Sequence, residues 1–346
     1  MPPIDLYDPR TLQRVIESLP PAFSFLKNTF FSGSETSVTS RVDIDFVKGK
    51  RRLARYSSPR NLKGKEVKRD GYVTKTFTPV LINPKRVIDG DVIQKRLPGE
   101  LIYSGQTEEE RAAKIVAKDI DDLDTQVSRR KEQMSSELLF SGKIRMKDDD
   151  IDEEFDYEFV NKQVLAGTDM WSDPKSDPLA ELRRRKATIR QKSSIVPNIV
   201  VFSEKTYELF ITNPNVIKAM ESRRIIRGEI IPRPISAAVD YVGKITELGL
   251  EIYVYNEWYV DPFTEEEKPM VPDFHYLMGS SETSSYFNHG AITFIDPKSK
   301  QWVTHVAERV ARRIVNENDS IEEITLLSRP IPIPENIDAW YVVKVA

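Results

Sequence analysis

A chain of 346 residues, 39% hydrophobic and 30% charged, is long enough for more than one packed region and for a sizeable buried core. It contains no cysteine, which excludes disulfides, thiolate zinc sites and cysteine nucleophiles and points to synthesis in a reducing cytoplasm. The net charge of −3 hides a strong segregation of sign along the chain, and no apolar run approaches the ~20 residues that span a bilayer.

Residues 1–47 read as an N-terminal arm. Met1-Pro2-Pro3-Ile4-Asp5 lacks the basic and apolar regions of a signal peptide, so none is expected. Leu12, Val15, Ile16 and Leu19 share a helical face over Thr11–Leu19, and Pro20-Pro21 stops that helix. Phe23, Phe25, Phe30 and Phe31 follow. On an isolated arm these rings would be exposed, so they are expected to dock elsewhere and are candidates for subunit contact.

The stretch Lys48–Lys75 is the most lopsided in charge. Its extended runs Arg51–Tyr56 and Tyr72–Thr78 predict a long β-hairpin whose tip carries Arg60, Lys63, Lys65, Lys68 and Arg69. Two uses of the tip stand beside a plain solvated loop. It could meet acidic surface on another copy of the chain, or it could bind nucleic acid through phosphate contacts, with Tyr56 and Tyr72 stacking on bases. A kinked arm then runs through Phe77-Thr78-Pro79, Asn83-Pro84-Lys85 and Arg96-Leu97-Pro98.

From Thr107 the apolar period becomes helical. Val116, Ile120, Leu123, Val127, Met134 and Leu138 form one narrow stripe, Thr107 and Glu110 make a capping box, and Ser141-Gly142 ends a rod of roughly 50 Å. A second hairpin follows. Ile144 and Met146 alternate with basic residues, whereas Phe155, Tyr157 and Phe159 alternate with acidic ones. Between them lies an acidic turn with Asp148, Asp149, Asp150, Asp152, Glu153 and Glu154. It fails the EF-hand pattern and is expected to be a solvated or partner-facing tip. Asp177-Pro178 opens a charged helix over Leu179–Gln191.

From about Pro197 the chain reads as an α/β unit. Its strands are expected at Asn198–Phe202, Leu250–Tyr255, Trp258–Val260, Tyr276–Met278 and Ala291–Phe294, with helices at Glu204–Ile211 and Val216–Glu221. The chain closes with strands at Ile321–Leu327 and Trp340–Val345. Motifs for chemistry are scarce. Gly243-Lys244-Ile245-Thr246 has neither the earlier glycine nor the Ser/Thr position of a phosphate loop, and His275, His289 and His305 are too widely spaced for a helical metal pair. No catalytic residue, metal ligand or cofactor site is marked. A hydrolase with an unmarked carboxylate pair in the α/β unit stays open as a rival class.

The ordered set of segments resembles the capsid E family of lambda-like phage major capsid proteins. It is carried by Phe77-Thr78-Pro79, Pro84-Lys85, Arg96-Leu97-Pro98, Gly142-Lys143, Gly167-Thr168, Trp171-Ser172, Asn198-Ile199-Val200-Val201-Phe202, Tyr286, Trp302-Val303-Thr304 and Arg329-Pro330-Ile331. The first twenty residues and Val310–Ser320 match it poorly. The resemblance implies an α+β fold of the Hong Kong 97 type. Its parts would be an N-arm (1–47), an E-loop with the following arm (48–98), a P-domain (99–195) with spine helix 107–140 and hairpin 143–160, an A-domain (196–300), and a return segment with a C-terminal strand (301–346). It further implies a major capsid protein of a tailed double-stranded DNA phage, assembled in the host cytoplasm into hexamers and pentamers of an icosahedral virion shell. Expected partners are other copies, scaffold and portal proteins, a decoration protein, and packaged DNA by non-specific contact. No membrane, cofactor or enzymatic activity is expected. The alternative is a nucleic-acid-binding protein using the basic hairpin 48–75.

Overall fold

The computed structural model describes residues 24–47, 72–90, 107–148, 151–220, 229–296, 300–316 and 321–346. The expected helix Thr11–Leu19, the run Arg51–Tyr56 and the loop residues Arg60, Lys63, Lys65, Lys68 and Arg69 lie outside them, as do Phe23, Asp149 and Asp150.

The long helix spans Glu108–Ser141, 34 residues, or about 51 Å at 1.5 Å per residue. Both halves of its capping box are formed: Glu110 N donates to Thr107 Oγ1 at 3.2 Å, and Thr107 N donates to Glu110 Oε2 at 3.1 Å. Gly142 ends it in the left-handed region at φ 71°, and an added Cβ would lie 2.3 Å from Phe159 Cβ. Glycine is thus demanded twice there, by conformation and by packing.

A seven-stranded sheet forms the centre of the molecule. Its order is Lys162–Val164, Tyr341–Lys344, His275–Gly279, Ile199–Phe202, Leu250–Tyr255, Val239–Ile245 and Glu229–Pro234. Alternation divides its residues between two apolar layers. Ile199, Val201, Leu277 and Val342 face the layer shared with the long helix and the N-terminal arm. Val200, Phe202, Met278 and Val343 face the layer closed by Leu182 and Ile189 of the helix Pro178–Ser193 and by Phe210 of the helix Glu204–Thr212. In that second layer Trp171 stacks on Tyr276 at 5.3 Å and meets Phe202 edge-on at 5.8 Å. Gly243 falls at a register shift inside the strand Val239–Ile245, so Gly243-Lys244-Ile245-Thr246 is a bulged strand end and not a phosphate loop.

Two smaller sheets flank the long helix. Val310–Asn316, Ile321–Leu327 and Lys85–Asp89 form one, whose Ile88, Ala311, Ile324 and Leu326 cover the helix stripe at Val116, Ile120, Leu123 and Val127. The tract from Val310, which matches the resemblance poorly, thus opens with an edge strand, Val310–Asn316, in the sheet that covers the helix. In the other sheet Gly33–Thr36 runs parallel to Tyr286–His289, which pairs antiparallel with Pro330–Ile333.

The loop stem differs from its expectation. Tyr72–Phe77 pairs with Val42–Val47, in register from Val42↔Phe77 to Val47↔Tyr72. The first strand of the hairpin thus falls inside the stretch read as N-terminal arm. At its root Phe77 meets Phe155 edge-on at 4.9 Å and lies over Tyr157 at 6.1 Å.

Candidate assembly surfaces and the charged node behind them

The aromatic arm is docked on its own chain. Phe25 lies 5.3 Å from both Tyr253 and Tyr255, and Phe31 meets Phe287 at 5.7 Å. Phe30 fills the space beside Gly279, where an added Cβ would come within 2.8 Å of its ring. All three are buried in the main core, each burial worth ~1.5–3 kcal/mol. This corrects the expectation of exposed arm rings awaiting a neighbour: Phe25, Phe30 and Phe31 leave almost no surface for one.

The short helix Phe25–Phe30 has no cap of its own, because Ser24 makes no side-chain cap bond. Glu132, buried on the long helix, supplies it. Its carboxylate accepts from Leu26 N at 2.7 Å, Lys27 N at 2.9 Å and the Tyr255 hydroxyl at 2.9 Å. Burial pushes the Glu132 carboxyl up, and those three donors hold the rise back. Burial and the nearby Glu132 charge push the Tyr255 phenol far up.

The preceding residue, Lys131, reaches the other side of the arm. Its side chain is fully enclosed, and Nζ donates to Glu308 Oε1 at 2.6 Å. Glu308 also accepts from Ser34 Oγ at 3.3 Å and lies 3.6 Å from Arg309, which pairs with Asp124 of the long helix. Burial lowers Lys131 to about 8. Burial alone would raise Glu308, but Lys131, His289 and Arg309 together hold it at about 2. His289, 3.8 Å from Glu308, is lowered to about 3 by burial and by the Lys131 charge, and so remains neutral. The node fastens the strand Gly33–Thr36, the long helix and the turn before Val310 to one another.

The second hairpin revises the acidic tip. Lys143–Asp148 pairs with Ile151–Asp156, so the turn between them is short and most of the acidic residues belong to the strand. Glu154 and Asp156 lie 2.7 and 3.1 Å from Lys143 Nζ, and Arg145 grips Asp152 with both Nε at 2.9 Å and a terminal nitrogen at 2.7 Å. The Arg145 guanidinium holds Asp152 below the usual carboxylate range. Charge expected to face a partner is largely neutralised by the facing strand, with Asp148 and Glu153 exposed at its margin.

Apolar side chains that the sequence did not mark as contact candidates are exposed on two hairpins. Ile295 pairs directly across from Trp302, which is 72% exposed, and on the same face Thr293 bonds Thr304 at 2.9 Å. Trp258, Val260 and Phe263 are exposed on the hairpin Trp258–Pro269, with Lys147 Nζ 5.6 Å from the Phe263 ring centre. A groove of about 330 Å³ runs between Val80–Pro84, the long helix and the charged hairpin.

The three histidines stay apart. His275 Nδ1 lies 2.7 Å from the Asp273 carbonyl, His289 is in the node, and His305 stacks on Phe294 at 4.9 Å. Among the described residues no group of three or more histidine or acidic side chains gathers as a metal site, and no helix is long and apolar enough to cross a membrane.

The profile of the family described as phage major capsid protein E matches residues 8–345. The chain is 25% identical over 326 residues to the major capsid protein of Enterobacteria phage phi80, covering 92% of each chain. It is 23% identical over 323 residues to that of Escherichia phage lambda, again covering 92% of each. Its fold superposes with a TM-score of 0.70 on the crystal structure of a prophage capsid protein from E. coli CFT073, at 17% identity, over 97% of this chain and 96% of that one. The reading of the basic hairpin as a nucleic-acid-binding module gains no support from these relatives. Matched over almost its whole length, the chain belongs to the phage major capsid protein E family, the major capsid proteins of tailed phages, and has the α+β fold of the Hong Kong 97 type.

Proposed function

We propose that many copies of this chain close into an icosahedral shell of hexamers and pentamers around packaged double-stranded DNA. The observation that carries this reading is the family match over residues 8–345. The loop stem adds a physical reason for association. A two-stranded ribbon is marginal alone in water, and this one is anchored at its root by Phe77. It gains a partner surface when it lies on a neighbouring copy.

In this scheme the N-arm is residues 1–47, the E-loop and its arm 48–98, the peripheral domain 99–195, the axial domain 196–300 and the return segment 301–346. The basic residues Arg60, Lys63, Lys65, Lys68 and Arg69 meet acidic surface on the next subunit. The exposed carboxylates of the charged hairpin, Asp148 and Glu153 among them, are the surface offered to receive them. Assembly takes place in the host cytoplasm with scaffold and portal proteins, a decoration protein adds to the outside, and DNA is contacted without sequence preference.

Electron microscopy of the chain expressed with its scaffold tests this, and closed shells are expected. Reversal of Lys63, Lys65, Lys68 and Arg69 together to glutamate should impair assembly, although single exposed pairs are worth only ~0.2–1 kcal/mol. A monodisperse monomer at high concentration under all such conditions would falsify shell formation, and normal shells from the fourfold variant would remove the loop pairing.

A further inference from the structure

Three segments distant in sequence converge on one amide. Asn161 is fully buried just before the strand Lys162–Val164, facing the end of the helix Pro178–Ser193 and the turn Ile337–Ala339. Lys192 Nζ donates to Asn161 Oδ1 at 2.5 Å. Asn161 Nδ2 donates to Asp338 Oδ1 at 3.2 Å and to the Trp340 carbonyl oxygen at 3.3 Å. Trp340 and Phe159, both buried, stack at 5.0 Å close by in sequence. The amide therefore lies on the dry side of this contact, and Lys192, an exposed residue, reaches it from the wet side.

We propose that Lys192 and Asn161 join in an intrachain isopeptide bond, with Asp338 carrying the proton. A contact of 2.5 Å to the carbonyl oxygen, with a C=O length of ~1.23 Å, confines Nζ to roughly 2.8–3.7 Å from the amide carbon. That range contains the ~3–3.5 Å of a near-attack arrangement. The unprotonated Nζ forms a bond to Cγ of Asn161, and the Cγ–Nδ2 bond breaks. The proton lost by Nζ passes through the Asp338 carboxylate to Nδ2, which departs as ammonia. The products are a secondary amide and one ammonia, so no other reactant is needed. The carboxylate sits on the nitrogen that must leave, where a general acid is required. An amine attacks only in its unprotonated form, so the bond forms faster as the solution becomes alkaline.

A trio that is only hydrogen-bonded would equally satisfy the buried amide, so the two states must be separated chemically. The test is the intact mass and tryptic map of the folded protein, freshly purified and after incubation at neutral and at mildly alkaline pH. Expected are a mass lower by one ammonia and a cross-linked pair joining the Asn161 and Lys192 peptides. Lys192→Arg, at an exposed position and still able to donate to Asn161, should abolish both and lower the thermal midpoint, because the covalent closure of the loop between the two residues is lost. Asp338→Asn should slow bond formation by about 100-fold. Unchanged mass with separate peptides after prolonged alkaline incubation overturns the proposal. Loss of ammonia without a cross-linked pair also overturns it, since asparagine alone can lose ammonia by cyclising.

Discussion

From Glu108 to Val127 the long helix buries one stripe, Ile115, Val116, Ile120, Leu123 and Val127, and shows Lys114, Lys118, Asp121 and Gln126 to solvent. From Ser128 to Phe140 it is enclosed on most sides, with Lys131, Glu132, Gln133, Ser135 and Ser136 as buried as Met134 and Leu138. The first half is an amphipathic helix lying on a small sheet, and apart from the buried Asp124 paired with Arg309 its stability is spread over apolar contacts that tolerate gradual change. The second half is a junction. Its buried charges are tolerable only because each meets a particular partner, and a missing partner leaves a charge with no water to turn to. Strength in one half is thus distributed, and in the other it is conditional.

The sharpest way to break the comparison is to remove one partner of the enclosed lysine. Glu308→Gln should cost ~3–5 kcal/mol in denaturant unfolding, because Lys131 is left without its carboxylate. A cost below ~1 kcal/mol would show that the second half does not depend on its node. Next come the two caps. Glu132→Ala removes three acceptor contacts from buried donors and should cost ~2–3 kcal/mol, with faster hydrogen exchange at Leu26 and Lys27. Glu110→Ala, on the exposed capping box of the first half, should cost ~1 kcal/mol or less. Equal costs would erase the distinction between the halves.

A separate effect concerns acid. Folded His289 stays neutral down to about pH 3, whereas an unfolded histidine takes a proton near 6.5. The unfolded chain therefore binds more protons as pH drops from about 6.5 towards 3, and stability contributed here is lost over that window. Glu308, held at about 2, loses its contribution in the same direction below about pH 4.5. Glu137 works the other way. Burial raises it to about 6, so between about 6 and 4.5 the folded chain takes the proton first and gains stability. His289→Gln should thus make stability between pH 7 and 5 less acid-sensitive by ~1–2 kcal/mol, and Glu137→Gln should make it more so. Unfolding curves at the two pH values decide it, and parallel behaviour of wild type and His289→Gln would count against a neutral buried histidine.

The first half of the helix was legible because its signals are local. Thr107 with Glu110, the spacing of Val116, Ile120 and Leu123, and Ser141-Gly142 all act within a turn or two. Strands Leu250–Tyr255, Trp258–Val260 and Ile321–Leu327 were read to the residue from their apolar runs. Lys131 and Glu132 were not legible as buried groups, since their partners stand 177 and 106 positions away and charge ordinarily signals solvent. The acidic turn was drawn too long because only the register, which continues through Arg145↔Glu154 and Lys147↔Asp152 to Asp148↔Ile151, shows how far the pairing reaches into the acidic run. Pro330–Ile333 was not read as a strand since two prolines argue against one, and it survives as one at the edge of its sheet.

The remote cap on the arm has a consequence for synthesis. A six-residue helix is far too short to persist alone, and the carboxylate that completes it is made 106 residues after Leu26. At ~5–20 residues per second this leaves an interval of several seconds at least, longer still before Tyr255 and Phe287 emerge. Throughout that interval Phe25, Phe30 and Phe31 have no core to enter. The segment around Phe25–Phe31 is thus made early but matures late, and a chaperone that shelters these nascent aromatics would raise the yield of correctly folded subunits.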